Sequence, residues 1–400
     1  MTYSLWLFAL VPLALLGGWF AAKRDSFRRS RQEVLKLPTA YFRGLNFLLN
    51  EQPDKAIEMF VKVLEVDAET AELHLAVGNL FRRRGELERA TRVHQNLVAR
   101  QNLDDQTREH ALYELAQDYF KAGLYDRAES LFQEVADSTH YGEYALRFLS
   151  QIYEQEKDWD RAIAMMRRRA QLHNFDPGTV IAQYYCEMAE TALTTGEFDA
   201  ARAHLATATQ EDPSCTRASL LRGDLAARLD EHENAVGYWQ AAVQADPRLT
   251  REVAEKIVSA YRALGREKEI EDFLAGATQG NDDPRLMQLR VRELRRLRGD
   301  AAAEEFLSGR LIERPSLFGF REFVEMCARR NGDGRCGEAL PVLSSVKNLI
   351  RDTAGYRCGN CGFEGRTMHW HCPSCKRWGT IEPVNDATGQ SRAPARQNAT

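Results

Sequence analysis

Six segments of this sequence keep one internal measure, a small residue followed twelve positions later by alanine. The pairs are Gly44 and Ala56, Gly78 and Ala90, Ala116 and Ala128, Ser150 and Ala162, Ala189 and Ala201, and Gly223 and Ala235. Successive small residues are 34, 38, 34, 39 and 34 positions apart. Three positions after each comes a space-filler in the first four units, Phe47, Phe81, Tyr119 and Tyr153, and Ala192 and Ala226 in the last two. A turn signal falls between the paired positions, as in "RRRGELERA", "KAGLYDRA", "TTGEFDAA" and "RLDEHENA". Each unit is therefore expected to be two short amphipathic helices, with small residues where their backbones approach. Phe60, Phe132, Leu205 and Trp239 are expected to fill the gap to the next unit. Pro213 and Pro247 are placed to stop second helices, because proline cannot continue one.

A 34-residue helix–turn–helix period resembles the tetratricopeptide repeat. Beyond residue 250 the pattern decays but persists, in "IVSAYRALGREKEIEDFL", in "VRELRRLRGDAAAEEFL" with a turn at Gly299, and in the helical "LFGFREFVEMC". Degenerate terminal repeats suit units that must cap a stack. "AGATQGNDDP" is read as a loop between units. Such a solenoid offers a concave face that holds peptides or protein domains. The array contains no phosphate-cradling glycine loop and no nucleophile motif, and His94 sits at a packing position, so no enzyme is expected. A net charge of -4 does not suit a general nucleic-acid binder. The stripe Arg290, Arg292, Arg295, Arg296 and Arg298 reads as a solvated helix face or a contact for an acidic partner, and no nucleic acid is expected.

Tyr3 to Ala22, "YSLWLFALVPLALLGGWFAA", is an uncharged, mostly apolar run. Twenty helical residues reach about 30 Å, enough to cross a bilayer core. Trp6 and Trp19 lie towards its ends, where interfacial aromatics belong. No Lys or Arg precedes Lys23, which argues against a cleaved signal peptide. Lys23, Arg24, Arg28, Arg29, Arg31 and Lys36 follow instead, so the positive-inside rule places the body of the chain in the cytoplasm. These charges set topology, with weak attraction to the membrane surface.

Four of eight cysteines gather near the C-terminus, in "YRCGNCGFEGRTMHWHCPSCKRWGTIEP". The other four, Cys186, Cys215, Cys327 and Cys336, show no framework spacing and read as buried reduced thiols. Cys358 and Cys361 form one CxxC and Cys372 and Cys375 another, the makings of a tetrahedral sulfur site for one iron or zinc ion. The two-residue spacing lets a tight turn wrap backbone N–H groups around the sulfurs, and Gly362 and Pro373 suit such turns. A stretch this short cannot build a stable core, so metal binding would supply folding free energy. His369 and His371 are left out of the ligand set because four thiolates complete the shell. The "YRCGNCGF" opening resembles a rubredoxin knuckle, although Lys376 stands where glycine usually follows the second pair. Tyr356, Phe363, Trp370 and Trp378 are expected partly to form a small core and partly to dock the ribbon onto the end of the array.

The fold class expected is all-α: a tetratricopeptide-repeat solenoid with an N-terminal transmembrane helix and a small C-terminal rubredoxin-like four-cysteine ribbon. The domains expected are an anchor at 1–22, a basic linker at 23–38, the array at 39–345, the ribbon at 352–385 and a disordered tail at 386–400. In this order they resemble the lipopolysaccharide assembly protein B family over almost the whole chain. The resemblance is carried by "GLNFLLNEQPDKA", "GNLFRRRGELERA", "AGLYDRAE" and "YRCGNCGF…WHCPSCKRWGTIEP". It implies a single-pass protein of the Gram-negative inner membrane, its N-terminus periplasmic and its main body cytoplasmic. The implied role is an adaptor that presents the lipid A pathway deacetylase to a membrane-anchored AAA+ protease. A membrane-embedded regulator with a periplasmic sensing domain would oppose it. By the same resemblance Cys358, Cys361, Cys372 and Cys375 are the metal ligands. The competing expectations are a scaffold for lipopolysaccharide assembly or transport proteins and an iron electron-transfer protein. A homo-oligomer is compatible with the sequence.

Overall fold

The computed structural model describes residues 46–47, 52, 55–56, 59, 71–279, 283–314, 317–330 and 355–384. The apolar run at 1–22, the linker at 23–38, most of the first repeat, Cys336 and the tail at 386–400 lie outside the described residues. Among the described residues no helix is long and apolar enough to cross a membrane. The chain forms two compact units, 1–174 and 175–400.

Among the described residues the first unit contains three helical hairpins: α1 (Ala71–Arg83) with α2 (Leu87–Val98), α3 (Asp105–Lys121) with α4 (Tyr125–Glu134), and α5 (Gly142–Glu156) with α6 (Trp159–His173). The second opens with α7 (Gly178–Thr195) and α8 (Phe198–Glu211), then α9 (Thr216–Arg228) and α10 (His232–Ala245). A 3-10 turn at Pro247–Leu249 leads into α11 (Thr250–Ala263) and α12 (Glu267–Thr278). The unit continues with α13 (Pro284–Arg298), α14 (Asp300–Glu313) and α15 (Leu317–Arg330). Three short strands follow: β1 (Tyr356–Cys358), β2 (Glu364–Gly365) and β3 (Ile381–Pro383). The helices α8 and α10 stop two residues before Pro213 and Pro247, as expected. The supposed loop at 275–284 is shorter than expected, because α12 continues to Thr278, whose hydroxyl bonds the Leu274 carbonyl.

One turn recurs in the six hairpins from α1–α2 to α11–α12. Gly85, Gly123, Lys157, Gly196, Asp230 and Gly265 take left-handed backbone, with φ between 59° and 82°. The following N–H returns to the carbonyl of the space-filler, Glu86 to Phe81 and Leu124 to Tyr119 at 2.9 Å, and Glu197 to Ala192 at 2.8 Å. That is a Schellman-type closure, in which glycine avoids the Cβ penalty of left-handed backbone. The turn brings the small residue of the first helix against a large one of the second. A Cβ on Gly78 would fall 2.2 Å from His94 Nε2, and one on Gly223 would fall 2.3 Å from Trp239 Nε1. In these two hairpins the large residue packs into its own hairpin and also reaches the next unit, His94 at Asp118 and Trp239 in a core shared with Val253 and Ile257. An antiparallel helix pair closed by a tight turn places such positions face to face.

In the first unit, one buried polar network ties α1, α2 and α3 together. Asp118, with no exposed surface, accepts from Arg82 Nη1 at 2.8 Å and lies 2.6 Å from His94 Nδ1. Arg82 also pairs with Glu114 and donates to Asn79 Oδ1 at 2.6 Å. Next to it an aromatic cluster spans α3 to α5, with Tyr113 stacked on Tyr141 and Phe132 stacked on Phe148.

In the second unit the first helices of neighbouring hairpins touch directly, α7 with α9, α11 with α13 and α13 with α15, while successive second helices keep further apart. The first helices therefore line the inner side of this stack. The arginine stripe of α13 is engaged within the unit. Arg292 pairs with Glu255 at 2.8 Å, Arg295 with Asp300 at 2.8 Å and Arg296 with Glu267 and Glu293 at 3.0 and 2.9 Å. Arg298 pairs with Glu271, and Arg290 lies 4.1 Å from the centre of the Phe306 ring. The stripe is a ladder between hairpins, each rung worth little alone because most of it is solvated.

Candidate metal centre

The ribbon is a three-stranded antiparallel sheet in the order β2-β1-β3, with Tyr356 opposite both Gly365 and Pro383. Each CxxC forms the same knuckle. The Cys358 N–H donates to Phe363 O at 2.8 Å and the Gly362 N–H to Cys358 O at 3.0 Å. In the second knuckle the Cys372 N–H donates to Arg377 O at 2.9 Å and the Lys376 N–H to Cys372 O at 3.0 Å. Gly362 has φ of 77° and Lys376, its counterpart, 57°. The departure from glycine noticed in the sequence thus falls where left-handed backbone is required. Left-handed backbone costs a non-glycine residue roughly 1–2 kcal/mol, against glycine's greater loss of chain entropy. Lys376→Gly is expected to hold the metal as well as or slightly better than the natural chain, and Lys376→Val to hold it less well. Competition with a chelator reads both, and equal retention by the two variants would show that this turn is not constrained.

The knuckles bring the four sulfurs together, all within 4.8 Å of one another, with no histidine in the group. Cys358 Sγ is 3.7 Å from Cys375 Sγ, and Cys361 Sγ is 3.7 Å from Cys372 Sγ. A tetrahedral shell with metal–sulfur bonds of about 2.3 Å has sulfur–sulfur edges of about 3.8 Å, so the donor set fits one such ion. Cys358 and Cys372 are buried, Cys375 is half-buried and Cys361 is exposed. Burial opposes ionisation of Cys358, but the Thr380 hydroxyl and the N–H groups of Cys361 and Asn360 outweigh it and bring the thiol down to about 6. The Phe363 N–H lowers Cys361 in the same way. Burial pushes Cys372 up to about 11 against the N–H groups of Cys375 and Ser374. A cation bound here would hold the thiols as thiolates and weld the two knuckles together. His369 lies beside Thr367 Oγ1 at 3.1 Å, and His371 stacks on Trp378 with its Nε2 3.0 Å from Lys376 O.

Among the described residues the ribbon contacts helices that precede the end of the array. It lies along the inner side of the second unit, reaching from α7 to α13. Trp378 meets Tyr184 of α7 edge to face at 5.8 Å, and the Arg217 guanidinium of α9 is 5.7 Å from the centre of the Trp370 ring. Met368 and Trp370 pack against the apolar core of α9 to α13. Tyr356 is buried, its hydroxyl donating to Glu252 and its ring 4.9 Å from the Arg251 guanidinium. Arg251 donates to Gly355 O at 3.2 Å and pairs with buried Asp283 at 3.2 Å. Arg285 of α13 donates to Tyr356 Oη and to Arg366 O, each at 3.4 Å, and Arg248 pairs with Glu382. Burial, and then the neighbouring Glu252 carboxylate, push the Tyr356 phenol well up, so it stays a donor. Aromatic content foretold that the ribbon would dock. The arginines that receive it, Arg217, Arg251 and Arg285, carry no signal that separates them from other helix-face charges.

A family model described as "Rubredoxin metal binding domain" matches residues 356–383. Tetratricopeptide repeat models match 73–109, 113–177 and 186–249. Lipopolysaccharide assembly protein B of Escherichia coli (strain K12) is 35% identical over 386 residues, 96% of this chain and 99% of that protein. The protein of the same name from Haemophilus influenzae (strain ATCC 51907 / DSM 11121 / KW20 / Rd) is 32% identical over 391 residues, 95% of this chain and 98% of that one. With this likeness at 35% and 32% identity running nearly end to end, this chain belongs to the lipopolysaccharide assembly protein B family.

Proposed function

We propose that the protein is a non-catalytic adaptor of lipopolysaccharide assembly, held at the cytoplasmic side of the inner membrane. In this reading residues 1–22 anchor it with the N-terminus periplasmic, and 23–38 form a basic linker beside the membrane. The repeats at 39–345 hold client proteins, the ribbon at 352–385 is stabilised by one iron or zinc ion on Cys358, Cys361, Cys372 and Cys375, and 386–400 is a tail. The clients are the lipid A pathway deacetylase and a membrane-anchored AAA+ protease, and a membrane-embedded regulator with a periplasmic sensing domain opposes their meeting. Confinement to the membrane plane raises the effective concentration of partners that share it.

The observation that carries this reading is the likeness to the lipopolysaccharide assembly proteins, which covers 96% and 95% of this chain. The architecture agrees with it. The ribbon is braced against four successive first helices, which suits a part that holds a binding surface in one curvature. The test is the half-life of the deacetylase in cells depleted of the protein. A marked lengthening, reversed by the natural chain and not by one lacking residues 1–22, is the expected result. An unchanged half-life rejects the proteolytic role and leaves the assembly scaffold.

A further inference from the structure

Cys186 and Cys215 were scattered thiols in the sequence, and the fold brings them together. Cys186 lies on α7 and Cys215 immediately precedes α9. Their sulfurs are 3.9 Å apart, with Cys186 wholly buried and Cys215 6% exposed. Gln183 Nε2 donates to the Cys215 sulfur at 3.6 Å. Cys215 also lines a cavity of about 220 Å³ between the helices and the ribbon, whose far wall includes Tyr356, Met368 and Trp370. Such a volume admits several water-sized molecules. Two residues along the chain, buried Arg217 donates to Glu187 at 2.8 Å and Glu190 at 2.6 Å while facing the Trp370 ring.

We propose that Cys186 and Cys215 are a reversible dithiol–disulfide site, oxidised by hydrogen peroxide entering the cavity beneath the ribbon, and that Arg217 transmits its state to the ribbon's seat. The Cys215 thiolate attacks one peroxide oxygen. A sulfur–oxygen bond forms, the oxygen–oxygen bond breaks, and the hydroxide released takes a proton and leaves as water. The Cys186 sulfur then attacks the sulfenic sulfur. The sulfur–sulfur bond forms, the sulfur–oxygen bond breaks, and a second water leaves with the Cys186 proton. Both thiols are oxidised, and the peroxide is reduced to water.

The order of attack follows from the surroundings. The hydrogen bond from Cys186 favours a thiolate on Cys215, burial opposes it, the Ala218 N–H adds to it, and the thiol is drawn down to about 7. The same hydrogen bond, with burial, pushes the Cys186 thiol up. Drawing the sulfurs together moves the start of α9 towards α7, and Arg217 moves with it.

The experiment uses the full-length, metal-loaded protein. It is exposed to hydrogen peroxide, its free thiols are blocked with N-ethylmaleimide, and unreduced digests are read by mass spectrometry. The expected product is the Cys186 peptide joined to the Cys215 peptide, lighter by both thiol hydrogens and separated by dithiothreitol. Recovery of the two as separate blocked thiols, or of Cys215 joined to a ribbon cysteine, overturns the site. In Cys186→Ser the sulfenic acid on Cys215 has no resolving thiol and is expected to be trapped by dimedone; no adduct overturns the mechanism. Hydrogen exchange over Trp370 to Trp378 is expected to rise on oxidation of the natural chain and not of Cys186→Ser. Unchanged exchange in the oxidised natural chain overturns the link to the ribbon.

Discussion

Cys372→Ser is expected to lose the metal and unfold the ribbon from Gly355 to Val384 while the helical hairpins stay folded. Cys372 is fully buried at the centre of the ribbon's own core, with Tyr356, Cys358 and Ile381. That core is too small to offset the chain entropy of ordering the segment, so in the proposed reading the ribbon's stability rests on one ion shared by the four cysteines. Structural zinc in comparable small domains supplies roughly 10–16 kcal/mol at neutral pH, so losing one ligand of four removes more than the sheet's few hydrogen bonds replace. Metal content measured on the purified variant should fall well below that of the natural chain. Hydrogen exchange should show protection lost across β1, β2 and β3 and kept in α7 to α13. In cells the variant should fail to restore deacetylase turnover at unchanged abundance. A Cys372→Ser protein that keeps its metal, its protection and its regulation would remove Cys372 from the ligand set.

Asp118→Ala is expected to cost the first unit about 3–5 kcal/mol, the range for breaking one partner out of a buried ionic group. Asp118 has no exposed surface and serves both Arg82 and His94. Arg82 would keep Glu114, but His94, also wholly buried, would lose its carboxylate partner. The imidazole has no room to turn towards a new partner, because Gly78 packs directly on its other edge. Asp118→Asn keeps an oxygen for one donor and should lose less. Urea unfolding of the two variants measures the difference. A loss below about 1 kcal/mol for Asp118→Ala would mean that the network contributes no more than an exposed pair.

The hairpins were legible because what makes them is local. A small residue, a space-filler three places on, a turn seven places on and an alanine at twelve all act within one unit, and Gly85, Gly123, Gly196 and Gly265 sit at the turns. Two such turns carry Lys157 and Asp230 instead, and the repeat measure places them where glycine alone would not. The four-cysteine cluster was equally legible, since each knuckle is closed by hydrogen bonds only a few residues long. Lys376 stood out in the sequence as a departure, and its positive φ shows why glycine is usual at that turn.

Periodicity and spacing thus determined the helical repeats, their turns and the metal-binding knuckles, because those depend on contacts between near neighbours in the chain. Tertiary structure alone decided where the ribbon rests and which arginines receive it. The Arg251 contact to Gly355 and the Glu252 contact to Tyr356 each span 104 residues. No repeat measure predicts such a pair, because it depends on the summed rotation of several stacked hairpins. The meeting of Cys186 with Cys215 belongs to the same class: their sulfurs come within 3.9 Å only once α7 and α9 pack side by side.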